Sequence, residues 1–170
     1  MRIIAIAFGG ICLALGAAAL AGQHESAQAA HHACLDEERQ AIENGEGFGM
    51  ALAADRNGYS GPKHILELRE QLGLTPAQQA QAQQLFDRMR ADALAAGRKL
   101  LDKESELERH FASGAADTAR VRRLLEESAA LRAELRWVHL SAHLAARDLL
   151  TSEQRARYHA LRHSSAEHAH

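Results

Sequence analysis

The feature that most constrains the fold of this chain is a helix-start motif that occurs twice. Leu74-Thr75-Pro76-Ala77-Gln78 returns as Leu150-Thr151-Ser152-Glu153-Gln154. In each copy the Thr hydroxyl is placed to accept from the Gln backbone N–H, and the Gln side chain to accept from the Thr N–H, which makes a capping box. Pro76 suits the first helical position, because its missing N–H would have no partner there. The predicted structural caps are Thr75, Gln78, Thr151 and Gln154, and Leu74 and Leu150 are expected to enter the core.

The residues between the two boxes predict a pair of long helices, at about 75–112 and 116–149. Because Ser113-Gly114 leaves only a short turn, the two helices should be antiparallel neighbours. Shorter helices are expected at 62–72, ended by Gly73, and at 151–162. The predicted fold is therefore all-α, a long antiparallel helical hairpin with short flanking helices. The apolar stripes recur every three or four residues: Ala82, Leu85 or Phe86, Met89, Ala93, Ala96, Leu100, Leu107 and Phe111, then Val121, Leu124, Ser128, Leu131, Leu135, Val138, Ala142, Ala145 and Leu149.

The composition is typical of a helical protein, and the absence of catalytic motifs favours a function in binding. Charged residues make up 25% of the chain and aromatic residues 4%, which favours helices around a thin, Leu-rich core. A net charge of −2 gives no sign of nucleic-acid binding. The sequence has no Gly-rich phosphate loop, nucleophile elbow or His-Glu-x-x-His motif, so catalysis is not expected.

The ends of the chain are predicted to lie outside the helical domain at 62–162. Residues 1–29 have the pattern of a signal peptide: Arg2, an apolar run, and small residues at Ala19-Leu20-Ala21 and Ala27-Gln28-Ala29. The alternative is an uncleaved N-terminal anchor. Residues 30–61 are expected to form a flexible arm and 163–170 a His-rich tail. Cys34 would be the single cysteine of the exported chain, so no intrachain disulfide is expected.

The paired Leu-Thr-x-x-Gln boxes, the Asn57-Gly58-Tyr59-Ser60-Gly61-Pro62 lead-in and the helical pattern resemble the periplasmic Spy/CpxP superfamily, over about residues 45–162. The resemblance implies a cradle-like homodimer in the periplasm. It also implies an ATP-independent chaperone or envelope-stress adaptor whose partners are unfolded envelope proteins or a membrane signalling protein. The superfamily includes zinc-binding and nickel/cobalt-sensing members, so a heavy-metal sensor or buffering protein is the alternative. A hairpin has only one layer, which independently favours a second copy as its cover.

The sharpest candidate metal site is His139-Leu140-Ser141-Ala142-His143. Two His residues at i and i+4 lie on one helical face and can bind one metal ion. They are expected on the flank of the apolar stripe, accessible to solvent, and a simple solvated pair is the alternative. The pair resembles a stretch in the nickel/cobalt sensors, which also carry a second pair where this chain has His64 and Leu68. The residues that would complete the site are His64, Glu67 or Asp87, and a weaker site is expected from His159, His163, His168 and His170.

A client-binding surface is expected along the first long helix, where apolar and basic side chains alternate. Such a surface holds unfolded chains without selecting a sequence and requires no cofactor; the metal alternative would involve zinc, nickel, cobalt or copper. The competing interpretation is that the apolar residues are core and the Arg residues simply solvated. The predicted client-binding residues are Phe86, Met89, Arg90, Leu94, Arg98 and Leu101.

Overall fold

The computed structural model describes residues 33–167, with side chains up to Arg162. The predicted signal peptide and the last three residues, including His168 and His170, lie outside this range, as does the His163 side chain. The chain divides into two compact units, residues 1–38 and 39–170.

Every regular element within the described range is helical, which confirms the all-α prediction. Helix α1 covers residues 33–43, of which 39–43 belong to the second unit. The remaining helices are α2 (Leu52–Asp55), α3 (Pro62–Glu67), α4 (Arg69–Leu72), α5 (Pro76–Ala112), α6 (Thr118–Leu149) and α7 (Ser152–Glu167).

Three predicted boundaries change. The helix expected at 62–72 is broken at Leu68, which leaves the helical region with φ −99° and ψ 16°. Helix α6 begins at Thr118 instead of 116, because the Asp117 side chain accepts a hydrogen bond from the Arg120 N–H and sets the start. Helix α7 runs on to Glu167, through part of the predicted tail. Gly73 ends α4 in the left-handed conformation, as predicted.

Helices α5 and α6 lie side by side and run in opposite directions. Glu106 pairs with Arg120 near the turn, and Lys103 lies 2.8 Å from Glu127. At the other end of α5, Gln78 contacts the Leu149 carbonyl. The lysine also holds the pKa of the Glu127 carboxyl below its usual value, through its hydrogen bond and then its charge.

Both capping boxes form as predicted. The Thr75 hydroxyl accepts from the Gln78 N–H at 3.2 Å, and the Gln78 side chain accepts from the Thr75 N–H at 3.0 Å. Thr151 and Gln154 repeat the pattern at 3.2 Å and 2.9 Å. Each box therefore satisfies two backbone N–H groups that would otherwise have no partner.

The two boxes also bind each other, which the motif alone does not indicate. The Gln78 amide donates to Gln154 Oε1 at 2.8 Å, and the Gln154 amide donates back to Gln78 Oε1 at 3.1 Å. Each amide also donates to a carbonyl at the end of a helix: Gln78 to the Leu149 carbonyl of α6 and Gln154 to the Gly73 carbonyl that ends α4. The amide pair therefore joins the ends of α4 and α6 to the starts of α5 and α7.

The apolar core has two parts. One lies at the end of the helix pair where the boxes meet, and it includes Leu74 and Leu150, as expected from the sequence. The other lies midway along α5 and α6 and is completed by Ile42 from α1. Their buried members are Ile65, Leu72, Leu74, Ala82, Ala146, Leu150 and Tyr158 in the first, and Ile42, Ala93, Ala96, Leu100 and Leu135 in the second.

The flexible-arm prediction for 30–61 does not describe how residues 39–61 pack. Ile42 is only 3% exposed, and Ala51 and Ser60 are also buried. The Gly-rich composition that indicated a loose arm instead allows the backbone to lie close against α5 and α6. A Cβ at Gly45 would come within 3.2 Å of the Arg90 carbonyl oxygen of α5, and a Cβ at Gly47 within 3.2 Å of His139 Nδ1 of α6.

Candidate functional site

The first candidate site is a cavity of about 390 Å³ bounded by the loop at 44–51 and by α3, α5 and α6. It contains three histidines, two carboxylates, two basic side chains, and apolar side chains from α5. The lining includes Glu46, Gly47, Asp55, Gly61, His64, Phe86, Met89, Arg90, His139 and His143.

His143 is held in one orientation by the segment before α3. Its Nδ1 lies 2.8 Å from the Tyr59 carbonyl oxygen and 3.5 Å from Asp55 Oδ1. Because a carbonyl oxygen only accepts, Nδ1 must carry the hydrogen, and Nε2 of the neutral ring keeps its lone pair. A Cβ at Gly61 would come within 2.7 Å of Nε2, so only glycine fits at this position without displacing the ring.

His139 lies one turn earlier on the same face and is 4% exposed. Its Nε2 is buried and makes no hydrogen bond to any residue in the described part of the chain. Burial lowers the pKa of this imidazole, and the neighbouring His143 lowers it further. Gly47 lies against the ring, where a Cβ would come within 3.2 Å of Nδ1.

The predicted accessibility of this His pair is wrong: His139 and His143 belong to the buried face of α6. The stripe was predicted to continue through Val138 and Ala145. Instead the fully buried positions are His139 and Ala146, while Ala145 is exposed. The predicted stripe is therefore displaced by one residue. A period of 3.6 residues allows either of two neighbouring positions to be the buried one, and small or polar side chains do not decide between them.

His64 lines the same cavity from α3, as the metal-site prediction requires. Its Nδ1 lies 3.2 Å from Glu67 Oε2, on the exposed side of the helix. Glu67 itself is not part of the cavity lining, and Asp87 accepts instead from Gln83. Across residues 33–162, no three His, Cys, Asp or Glu side chains converge in a way that would hold a metal ion.

The weaker predicted metal site involves His159, which is exposed on α7 and lines a separate, shallower cavity of about 230 Å³. That cavity also includes Tyr158, whose pKa is raised by burial. The other three histidines of the predicted tail site have no described side chains.

The predicted client-binding residues divide between two cavities on the same side of α5. Phe86, Met89 and Arg90 line the first. Leu94, Arg98 and Leu101 line the second, a cavity of about 370 Å³ shared with Arg39, Ile42 and Glu43. The four apolar side chains are half-buried and the two arginines exposed. This face of α5 is therefore both apolar and cationic.

Sequence reasoning missed the residues of the 39–61 segment that complete the site. Asp55 and Tyr59 orient His143, and Ile42 fills the groove between the two cavities. The Asn57–Pro62 lead-in was a signal that this stretch has a defined structure, but the glycines of 44–49 indicated flexibility more strongly.

Comparison with known families matches residues 61–162 to a family described as LTXXQ motif family protein. No curated protein and no solved structure matches the chain. None of the helices within residues 33–167 is both long and apolar enough to cross a membrane.

Proposed function

We propose that this chain, which belongs to the LTXXQ motif family of Spy/CpxP-like proteins, is a periplasmic envelope-stress protein. Its activity is that of an ATP-independent chaperone or adaptor that binds unfolded polypeptides. The proposal requires no catalysis and no cofactor.

The observation that supports this function best is the mixed face of α5. Leu94 and Leu101 are half-buried beside a cavity of about 370 Å³, and Arg98 is exposed at the same cavity. One turn earlier, Met89 and Arg90 repeat the combination at the 390 Å³ cavity. Apolar surface next to solvated cations attracts unfolded chains by burial and by charge, without requiring a fixed sequence.

Aggregation of a chemically unfolded protein diluted out of urea tests this function. We expect the exported chain to suppress light scattering at near-equimolar ratio and Leu94→Glu/Leu101→Glu to lose most of the effect. Phe111→Glu is the matched control, because Phe111 is 56% exposed on the same helix and lines neither cavity. Circular dichroism checks that each variant remains helical.

The chaperone proposal is wrong if the wild-type chain does not suppress aggregation. It is also wrong if Phe111→Glu loses as much activity as the double variant, because the effect would then depend on surface hydrophobicity in general.

A second function, binding of a divalent transition metal, is favoured by one specific observation. His139 Nε2 is buried without a hydrogen-bond partner among the described residues, and it shares a cavity with His143 and His64. The neutral form of His139 favoured by burial is the form that binds metal. The chemistry of these nitrogens suits zinc, nickel, cobalt or copper.

Calorimetric titration of the exported chain with Zn²⁺ and Ni²⁺ tests this second function. We expect binding on the order of micromolar or tighter, lost in His139→Ala/His143→Ala and kept in His159→Ala, whose side chain is exposed. Binding that survives the double variant and disappears from a chain ending at Leu161 would assign it to the tail and reject the cavity site.

A further inference from the structure

We propose that the groove on α5 and α6 that holds Ile42 is where a client segment binds, and that residues 39–51 of the chain itself occupy this groove at rest. The preferred client segment is aliphatic with acidic residues beside it. This inference rests on the proposed chaperone function and specifies the ligand and regulation of that surface.

The groove has a shape that accepts one aliphatic side chain closely. Ala93, Ala96 and Gly97 form its floor on α5, and all three are buried. Gly97 is the deepest point, because a Cβ there would come within 2.7 Å of Ile42 Cγ2. Leu135 of α6 closes the opposite side.

Each end of the groove has an arginine of α5: Arg98 in a cavity that Asp102 also lines, and Arg90 in a cavity that Lys63 also lines. Glu43 and Arg98 line the cavity on one side of Ile42. Glu46 and Arg90 line the cavity on the other. The chain's own segment therefore shows what fits: an aliphatic side chain, with a carboxylate lining the same cavity as each flanking arginine.

Few side chains hold the segment in place. Between Arg39 and Gly61, the buried apolar side chains are Ala41, Ile42 and Ala51. Met50 adds one half-buried side chain to the same core. A segment held by so few apolar side chains is one that opens locally without global unfolding.

The other attachments of the segment to α6 involve mainly its backbone. Arg136 donates to the Met50 carbonyl at 3.1 Å, and the His143 ring donates to the Tyr59 carbonyl. Arg147 stacks over the Tyr59 ring, 4.9 Å from its centroid. Of these contacts, only the Arg136 bond holds residues 39–51, because Tyr59 lies beyond the segment, and one hydrogen bond from a charged donor contributes about 1.5–3 kcal/mol.

A reversible cross-link tests whether residues 39–51 must leave the groove before a client can bind. Ile42→Cys/Gly97→Cys, made with Cys34→Ser, places two thiols where the Ile42 side chain now contacts Gly97. We expect the oxidised form to remain helical and to lose most aggregation suppression, and reduction to restore it. Cys34→Ser alone, taken through the same oxidation and reduction, is the matched control and should keep its activity in both forms.

A labelled peptide with an aliphatic centre tests the ligand chemistry in the same proteins. We expect the version flanked by Glu to bind about three- to tenfold more tightly than the version flanked by Lys, and neither to bind the oxidised form. Equal activity of the oxidised and reduced forms, or preference for Lys flanks, would overturn the inference. Absence of aggregation suppression by the wild-type chain would instead reject the proposed function.

Discussion

A buried histidine can have a different charge from an exposed one, and His139 is the example in this protein. Because it is 4% exposed and close to His143, its pKa is lowered by burial first and by the neighbouring ring second. The unfolded chain therefore binds a proton at His139 more readily than the folded chain does. By linkage, stability is complete above the ordinary His pKa of about 6.5 and falls as the pH drops below it.

We therefore expect the free energy of unfolding to fall between pH 7.5 and pH 5.5, by at most about 1.4 kcal/mol for each unit by which the His139 pKa is lowered. Urea unfolding at both pH values, with a chelator present, measures it. His139→Leu should reduce the pH dependence relative to wild type, whereas Gln84→Leu, a non-titrating change at an exposed position, should leave it unchanged. An equal pH dependence in His139→Leu would show that other groups cause the effect.

At the scale of helices, the paired boxes link four helix ends through one amide pair. Gln154 is 9% exposed, so its hydrogen bonds to Gln78 and to the Gly73 carbonyl are largely shielded from water. Loss of either Gln removes a cap and leaves the other amide with an unpaired group. The two caps should therefore act as one unit.

A double-mutant cycle measures this coupling. We expect Gln78→Ala and Gln154→Ala each to cost about 1–3 kcal/mol of unfolding free energy. The double variant should cost less than the sum, by about 0.5–2 kcal/mol. Gln84→Ala, on the exposed face of α5, is the control and should change stability by less than about 0.5 kcal/mol. Strict additivity would mean that the boxes act as independent caps.

At the scale of the whole molecule, the predicted homodimer has a candidate interface on the outer face of α6. Trp137 is 60% exposed and Leu144 45%, opposite the face that packs on α5. If a second copy packs antiparallel on this face, Ala130 and Ala133 of one copy would contact Leu140 and Leu144 of the other, with Trp137 at the centre. The stripe at i+3 and i+4 spacing consists of Ala130, Ala133, Trp137, Leu140 and Leu144.

We expect residues 30–170 to form a dimer by light scattering after size-exclusion chromatography, and Trp137→Glu/Leu144→Glu to be a helical monomer, because four buried carboxylates would face apolar surface. Leu125→Glu is the control: Leu125 is 52% exposed but lies about a third of a turn away from the stripe. Since Trp137 is the one tryptophan of the chain, its fluorescence should shift to the red as the wild type is diluted. A monomeric wild type would contradict the prediction.

Local patterns were sufficient to predict the two long helices and the two Thr–Gln capping boxes, because those interactions join residues within one turn. Thr75 with Gln78, and Thr151 with Gln154, were predicted from spacing alone and are confirmed. The helix from about 75 to 112 agrees with α5. The family followed from the same paired boxes.

Contacts between residues far apart in the chain could be identified only from the folded structure. The amide pair of Gln78 and Gln154, and the contact of Ile42 with Gly97, have no signature at helical spacing. Whether His139 is exposed or buried depends on which neighbouring positions the arm covers, and the glycines that indicated a loose arm are those that let it approach. Short-range hydrogen bonding and periodic burial are encoded locally, whereas cavity shape and histidine burial depend on which segments meet in space.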